Sequence, residues 1–293
     1  MFVVAGSSGQ TGSVVADRLL RRGERVRLIA RDPAKLSGFQ ARGAELASAD
    51  LNDGDALASA LRGASGAYLL LPPYMAAPDL LGMHRKLIAS FVHAIGTSQL
   101  EHVVCLSSIG AHQTRGTGPV ESLHALERAL SQVSANVTFV RAAYFMESLA
   151  SSLAGVAGGV FPSFLRADLP VAMVAARDVG MVSAEALLRG PGGHRIIELE
   201  GPRRYTAIEA ASELSTLVCQ PLRVQELPES AIVPTMLALG LSPQVAQLSY
   251  ELLHAINSGY LSWEHGAAAR VRGTTLIHEV LAQLLAARSA APS

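Results

Sequence analysis

An apolar run, Phe2-Val3-Val4-Ala5, leads directly into Gly6-Ser7-Ser8-Gly9-Gln10-Thr11-Gly12, and a helical pattern follows from Gln10 to Arg22. Three glycines spaced this way say little by themselves. Placed between a strand and a helix, they form a seat for a pyrophosphate. Gly6 permits the tight turn, Gly9 lets the main chain approach the anion, and Gly12 lets the helix lie close to the strand. The N–H groups at the helix start, near Gln10 and Thr11, face the anion with the positive end of the helix dipole behind them. Ser8 belongs to the same cradle.

Strands and helices then alternate. Periodicity predicts strands at Phe2–Ala5, Arg25–Ala30, Glu45–Ala49, Ala67–Leu71, His102–Leu106 and Val137–Arg141, with helices between them. Six strands joined by helical crossovers, with almost no hairpin signals, predict an α/β chain with a Rossmann-type, doubly wound parallel sheet. In such sheets ligands sit at the carboxyl ends of the strands. After Arg141 the pattern loosens. Strands are expected around Val171–Ala175, Ile196–Glu200 and Leu222–Leu227, and the rest is helical. The expected division is a dinucleotide-binding unit over 1–150 and a smaller, mostly helical lobe over 151–293, packed on the first, with room for the chain to cross between them. Pro292-Ser293 reads as a frayed tail.

Composition narrows the function classes. The 293 residues carry a formal net charge of +0 and are 49% hydrophobic. That balance gives no electrostatic footprint for nucleic acid or anionic lipid. Apolar stretches are cut short of a membrane span, as at Pro72-Pro73 after Ala67–Leu71. No charged leader region precedes the first strand, so a cytoplasmic protein is expected. The two cysteines do not make a disulfide framework; Cys105, inside Val103-Val104-Cys105-Leu106, reads as a buried thiol. The nine histidines are scattered without metal-ligand spacing, and no metal site is expected.

The end of the second strand distinguishes the two nicotinamide dinucleotides. A site for NAD usually places a carboxylate there for the ribose hydroxyls. This chain has Arg31, whose guanidinium suits adenine and a 2′-phosphate, and Lys35 adds a second positive charge. Asp32 is accounted for as the N-cap of a helix opening at Pro33. The expected cofactor is therefore NADP(H) rather than NAD(H). Asp50-Leu51, ending the third strand, falls where the adenine amino group would lie, although Asp50 also suits a helix cap. Leu70, Leu71 and Pro72 follow the fourth strand and should pass the nicotinamide half. Tyr74 either stacks on a planar acceptor or caps the apolar cleft wall. Trp263, the only tryptophan, either roofs the acceptor pocket or packs the lobe.

The glycine turn, Ala30-Arg31-Asp32-Pro33-Ala34-Lys35-Leu36 and Thr138-Phe139-Val140-Arg141 followed by Tyr144-Phe145-Met146-Glu147 together resemble the NmrA-like group of atypical short-chain dehydrogenase/reductases. Within it the chain is most similar to NAD(P)H-dependent quinone oxidoreductases. The resemblance covers about the first 230 residues and is strongest over the first 150. It implies that Tyr144 and Phe145 line the nicotinamide side of the cleft, and that Asp178, in Ala176-Arg177-Asp178-Val179-Gly180, is structural. Typical short-chain dehydrogenases carry a Ser at the end of the fifth strand and a Tyr proton donor with a Lys four residues on. Ser107 and Ser108 occupy the serine region, but Val120 stands at the Tyr position and His124 at the Lys position. Valine has no proton to give, which argues against ordinary alcohol–ketone interconversion. Reduction of a quinone develops a weakly basic phenolate that can take its proton from water, so hydride transfer by proximity and orientation survives the substitution. On this reading His124 and Tyr144 are the catalytic candidates, and both also contact the cofactor. His124 binds the nicotinamide ribose or, alternatively, is a surface histidine paired with Glu121 or Glu127. The function expected from the resemblance is an NADP(H)-binding oxidoreductase passing hydride from NADPH to a quinone or similar conjugated small-molecule acceptor. The alternative, from the same family, is a non-catalytic redox-sensing regulator acting through a protein partner. A homodimer is compatible with either.

Overall fold

The computed structural model describes residues 1–264, 266 and 269–290; the expected tail at 292–293 lies outside them. In chain order the elements are β1 (Phe2–Ala5), α1 (Gln10–Arg21), β2 (Val26–Ala30), a 3-10 turn (Pro33–Leu36) running into α2 (Ser37–Gln40), β3 (Glu45–Ser48), α3 (Gly54–Leu61), β4 (Gly66–Leu69), α4 (Leu80–Ser98), β5 (His102–Ser108), α5 (Val120–Leu130) and β6 (Asn136–Ala142). There follow β7 (Tyr144–Phe145), a 3-10 segment (Met146–Gly158), β8 (Val160–Ser163), β9 (Met173–Val174), α6 (Ala176–Arg189), β10 (Arg195–Glu200), α7 (Ala207–Val218), β11 (Arg223–Glu226), a further 3-10 turn (Glu229–Ala231), α8 (Ile232–Ala238), α9 (Pro243–Asn257), β12 (Ala269–Arg272) and α10 (Ile277–Ala290).

The central sheet has the order β12-β10-β6-β5-β4-β1-β2-β3, and every pairing in it is parallel. The order reverses between β1 and β4, so the carboxyl ends of these two strands flank the crevice where a dinucleotide fits. Strands buried on both faces need apolar residues at consecutive positions, and Phe2, Val3, Val4 and Ala5 are all buried. One face is covered by α3, α4 and α5, with Leu57, Phe91 and Leu126 in its core. The other face is covered by α1 and α6, with Val15, Leu19 and Leu187. Tyr68, fully buried on β4, donates to Thr11 Oγ1 at 2.9 Å and so ties the start of α1 to the sheet.

The sheet is two strands wider than its first six, because β10 and β12 extend it beyond β6. The chain therefore crosses the boundary at 150, and α6 returns to pack on α1. The remaining segments build a separate core around Leu149, Phe161, Tyr205, Ile232 and Ile277. It is mostly helical, with β8 and β11 as a two-stranded parallel ribbon. Periodicity misses β7, β8 and β12: β7 has only two residues, and β12 has an exposed Ala-Arg-Val-Arg pattern. The expected strand over Val171–Ala175 shrinks to Met173–Val174 plus a bridge between Val171 and Tyr205. Thr206 and Glu209 form a reciprocal capping box at the start of α7. Asp178 is structural, as the resemblance implies: its carboxylate accepts from Thr275 N at 3.0 Å and Thr275 Oγ1 at 2.9 Å, holding the approach to α10 against α6. Cys105 is fully buried, and burial pushes its thiol up, away from reactivity. No helix among the described residues is long and apolar enough to cross a membrane.

Candidate active site

The phosphate cradle forms within seven residues. Gly6 takes a φ of 66°, a conformation that side chains resist, and Gly9 N donates back to its carbonyl at 2.9 Å. A Cβ on Gly12 would collide with the Gly6 carbonyl oxygen, so only glycine lets α1 start this close to the strand end. The N-cap, Gly9, supplies no side chain, which leaves the first N–H groups of α1 available to an anion. Ser8 and Gln10 are exposed at this rim. The Thr11 hydroxyl accepts from Tyr68, and the Thr11 N–H lies in the first turn of α1. The Ser7 hydroxyl is buried and has no hydrogen-bond partner among the described residues. Such a group is costly unless something completes it. Ser7 was legible from the same glycine pattern that singled out Ser8.

Arg31 and Lys35 are exposed just past β2, and neither joins an ion pair among the described residues. Asp32 accepts from Ala34 N at 3.2 Å as the cap of the 3-10 turn. Asp50 is not the cap of α3; that role belongs to Asp53, which accepts from Asp55 N and Ala56 N. Asp50 instead closes a turn, accepting from Asn52 N at 2.9 Å and Asn52 Nδ2 at 3.0 Å. These bonds, and then the Arg31 charge, hold its carboxyl below the usual range. Leu51 is half-buried, and its carbonyl is anchored by Ser90 Oγ at 2.6 Å.

On the other side of the crevice, Leu70 lies so close to Gly6 that a Cβ there would sit 2.8 Å from Leu70 Cδ2. Leu71 packs into the core beneath. The Pro72 carbonyl contacts His84 Nε2 at 2.9 Å, and burial holds the His84 imidazole below its usual pKa. Tyr74 is tilted against His84, ring centroids 5.9 Å apart, and packs with Ala77, Leu80, Val245 and Leu248. It is a wall residue, and it does not line the cavity described next.

That cavity, of about 210 Å³, opens beyond β5 and β6 between Ile109, Tyr144, Val171, Leu261 and Trp263. Trp263 is 7% exposed, packs in the core and also forms part of this cavity's wall. Tyr144 is set by its pairing with Met173 in the β7–β9 ribbon. Burial, opposed by a bond to Ser148, raises the Tyr144 phenol, which keeps it a neutral donor. Phe145 turns the other way and packs among the core side chains beneath. Phe145, a candidate pocket residue by resemblance, is not among the residues lining the cavity, because alternation sends neighbouring strand residues to opposite faces.

The helix that carries the Tyr–Lys pair in ordinary short-chain dehydrogenases is α5. Val120 is buried there. His124 pairs with neither Glu121 nor Glu127; its Nδ1 lies 2.8 Å from the Ala111 carbonyl, which makes Nδ1 the donor and leaves Nε2 for another group. Glu121 accepts from Gly116 N at 2.7 Å, and Glu127 is engaged below the sheet edge. Ser107 also belongs to that buried group. Its hydroxyl donates to Glu127 Oε1 at 2.6 Å, and alternation puts the half-buried Ser108 on the opposite face of β5. Arg141 completes the cluster, donating to Glu127 at 2.9 and 2.6 Å and to Glu264 at 2.6 Å. Burial opposes the Arg141 charge, but the two carboxylates outweigh it. Because Glu264 adjoins Trp263, this ion cluster pins the cavity wall to the sheet.

A doubly wound parallel sheet, a glycine cradle at its switch point and an apolar cavity on the same edge define a Rossmann-type dinucleotide-binding protein. The NmrA-like family model matches residues 1–268, and the chain belongs to that family. A curated relative, the (4-alkanoyl-5-oxo-2,5-dihydrofuran-3-yl)methyl phosphate reductase of Streptomyces griseus, is 30% identical over 239 residues, 81% of each chain. Another, quinone oxidoreductase 2 of Escherichia coli, is 25% identical over 251 residues, 85% of each chain. Among solved structures, the NADPH-dependent quinone oxidoreductase of Escherichia coli complexed with NADPH superposes with a TM-score of 0.81 at 23% identity, over 97% of this chain and 100% of that one.

Proposed function

We propose that the chain is an NADPH-dependent oxidoreductase that transfers hydride to a quinone or a similarly conjugated small molecule. The observation that carries the reading is the placement of the Tyr144–Trp263 cavity on the same sheet edge as the glycine cradle. Curated relatives that act on a quinone and on an alkanoyl dihydrofuranone support it, since both names describe reductases of conjugated acceptors.

The residues present fit the dinucleotide. The collision that a Cβ on Gly12 would cause and the orphaned Ser7 hydroxyl are features of a cradle built for an anion. Gly6 to Gly12 would hold the pyrophosphate, Arg31 and Lys35 the 2′-phosphate, Asp50 and Leu51 the adenine side, and Leu70 to Pro72 with His124 the nicotinamide side. When bound, NADPH supplies the hydride. Tyr144 and Trp263 hold the acceptor as a planar body between apolar walls, which excludes water and fixes orientation. Tyr144, kept neutral by burial, donates a hydrogen bond toward an acceptor oxygen. When doubly protonated, His124 keeps its Nδ1–H on the Ala111 carbonyl and presents Nε2–H to developing negative charge. With Val120 buried in place of an acid, final protonation falls to water, which suits a phenolate and not an alkoxide.

The test is NADPH oxidation with a panel of quinones and simple ketones. Turnover of quinones but not ketones, falling about tenfold or more in Tyr144→Phe or His124→Ala, is the expected result. No turnover with any acceptor, together with different affinities for NADPH and NADP⁺, would instead favour a redox-sensing regulator.

A further inference from the structure

Most of the cavity wall is apolar, and among the described residues lining it Arg204 alone carries a charge. Its neighbour shows how different that placement is. Arg203 is used structurally, paired with Glu209 and lying over the Tyr205 ring at 4.1 Å. Among the described residues Arg204 meets one carboxylate, Glu200, at the longer distance of 4.0 Å, and its side chain is 55% exposed. Glu200 is also shared with Arg272 at 3.5 Å. Glu200 is thus shared between two guanidinium groups, and it does not hold Arg204 in a close ion pair.

Of the other polar side chains on this wall, Tyr144 and Ser262 carry hydroxyls that can donate. Burial raises the Tyr144 phenol, which stays neutral and keeps its proton. An apolar slot edged by donors and one available guanidinium is complementary to a flat hydrophobic body bearing an anionic group. We propose that the cavity takes acceptors with an anionic substituent (carboxylate, sulfonate or phosphate ester), and that Arg204 is the residue that selects them. The proposal rests on the reductase reading above and adds the substrate class to it.

The paired probes are a naphthoquinone sulfonate and its unsulfonated parent. The intrinsic reactivities of the two quinones cancel when variants are compared by the ratio of kcat/KM for the sulfonate to that for the parent. In Arg204→Gln this ratio should drop about fivefold, through KM for the sulfonate, as expected for a half-exposed guanidinium, and Arg204→Lys should restore part of it. In the unaltered protein, KM for the sulfonate should rise with ionic strength while that for the parent does not. An unchanged ratio, or a salt effect common to both quinones, overturns the proposal. Binding separates it from the reductase reading. Trp263 is the only tryptophan, so its quenching gives a dissociation constant for the sulfonate without turnover. Tighter binding of the sulfonate that weakens in Arg204→Gln supports the anion site even if no quinone is reduced. Equal affinities in the two proteins reject the site even if quinones are reduced.

Discussion

Arg141 Nη2 donates to Glu127 Oε2 at 2.6 Å, and both side chains are buried, Arg141 at 3% exposure and Glu127 at 7%. Removing one partner of such a pair leaves an uncompensated charge in the core. Arg141→Met should therefore destabilise the fold by about 3 kcal/mol, read as a lower urea midpoint. The double replacement Arg141→Met with Glu127→Leu should be less harmful than the single one, because the orphaned carboxylate goes with it. A single variant as stable as the unaltered protein would mean that the cluster does not bear on folding.

Gly12→Ala tests the cradle. Its added Cβ meets main-chain oxygen at Gly6 and Ala5, which cannot rotate away, so the strand end and helix start must separate. NADPH affinity should fall by about a hundredfold or more, measured by the fluorescence of the bound nicotinamide. Gly38→Ala, where nothing lies within reach of the new Cβ, is the control for a general effect of alanine.

Cofactor choice turns on Arg31, which is exposed and outside any ion pair among the described residues. Arg31→Ala should weaken NADPH about tenfold while NADH changes little, as expected for losing one charge-assisted contact to a phosphate. Parallel titrations with the two dinucleotides check this. Equal weakening would move Arg31 from the 2′-phosphate to the adenine ring.

Glu147 gives a pH prediction. One carboxylate oxygen accepts from Ala176 N at 2.9 Å, and the other is buried without a partner. Burial raises its pKa, bonds to Ala176 N and its own main chain oppose this, and the nearby Asp178 charge raises it further. The folded state thus holds this proton more tightly than the unfolded chain does. Its contribution to stability is present below the unfolded pKa and is lost as pH rises through the raised folded value. Glu147→Gln keeps the bond from Ala176 N and cannot ionise, so its stability relative to the unaltered protein should improve from mildly acidic to neutral pH. Urea midpoints of both proteins across that window give the sign directly.

Much of the cofactor side was legible because its determinants are local. The turn, the helix start and the Asp32 cap each lie within a few residues, and their backbone demands are visible in Gly6, Gly12 and Pro33. The acceptor side was harder. Tyr144 was singled out through family resemblance, and Trp263 only as one of two alternatives. Arg204 was missed, although Gly201-Pro202-Arg203-Arg204 follows a predicted strand at the ligand edge, the one signal that could have found it. Ser107 and Ser108 both fall in the serine region at the end of β5, and it is strand alternation that turns Ser107 toward Glu127. Periodicity predicts that β5 ends there; it does not say which of two adjacent serines faces the crevice.

The sequence by itself determined the glycine cradle, the alternation that builds a parallel sheet and the absence of an acid at Val120, since each depends on residue type at neighbouring positions. Only the tertiary structure decided that β10 and β12 widen that sheet and that Arg141 gathers Glu127 and Glu264. It alone also decided that Trp263 closes a cavity opposite Tyr144. Those contacts join groups up to 123 residues apart, as between Arg141 and Glu264. Their geometry is set by the packing of whole elements against one another, and a local pattern carries no record of it.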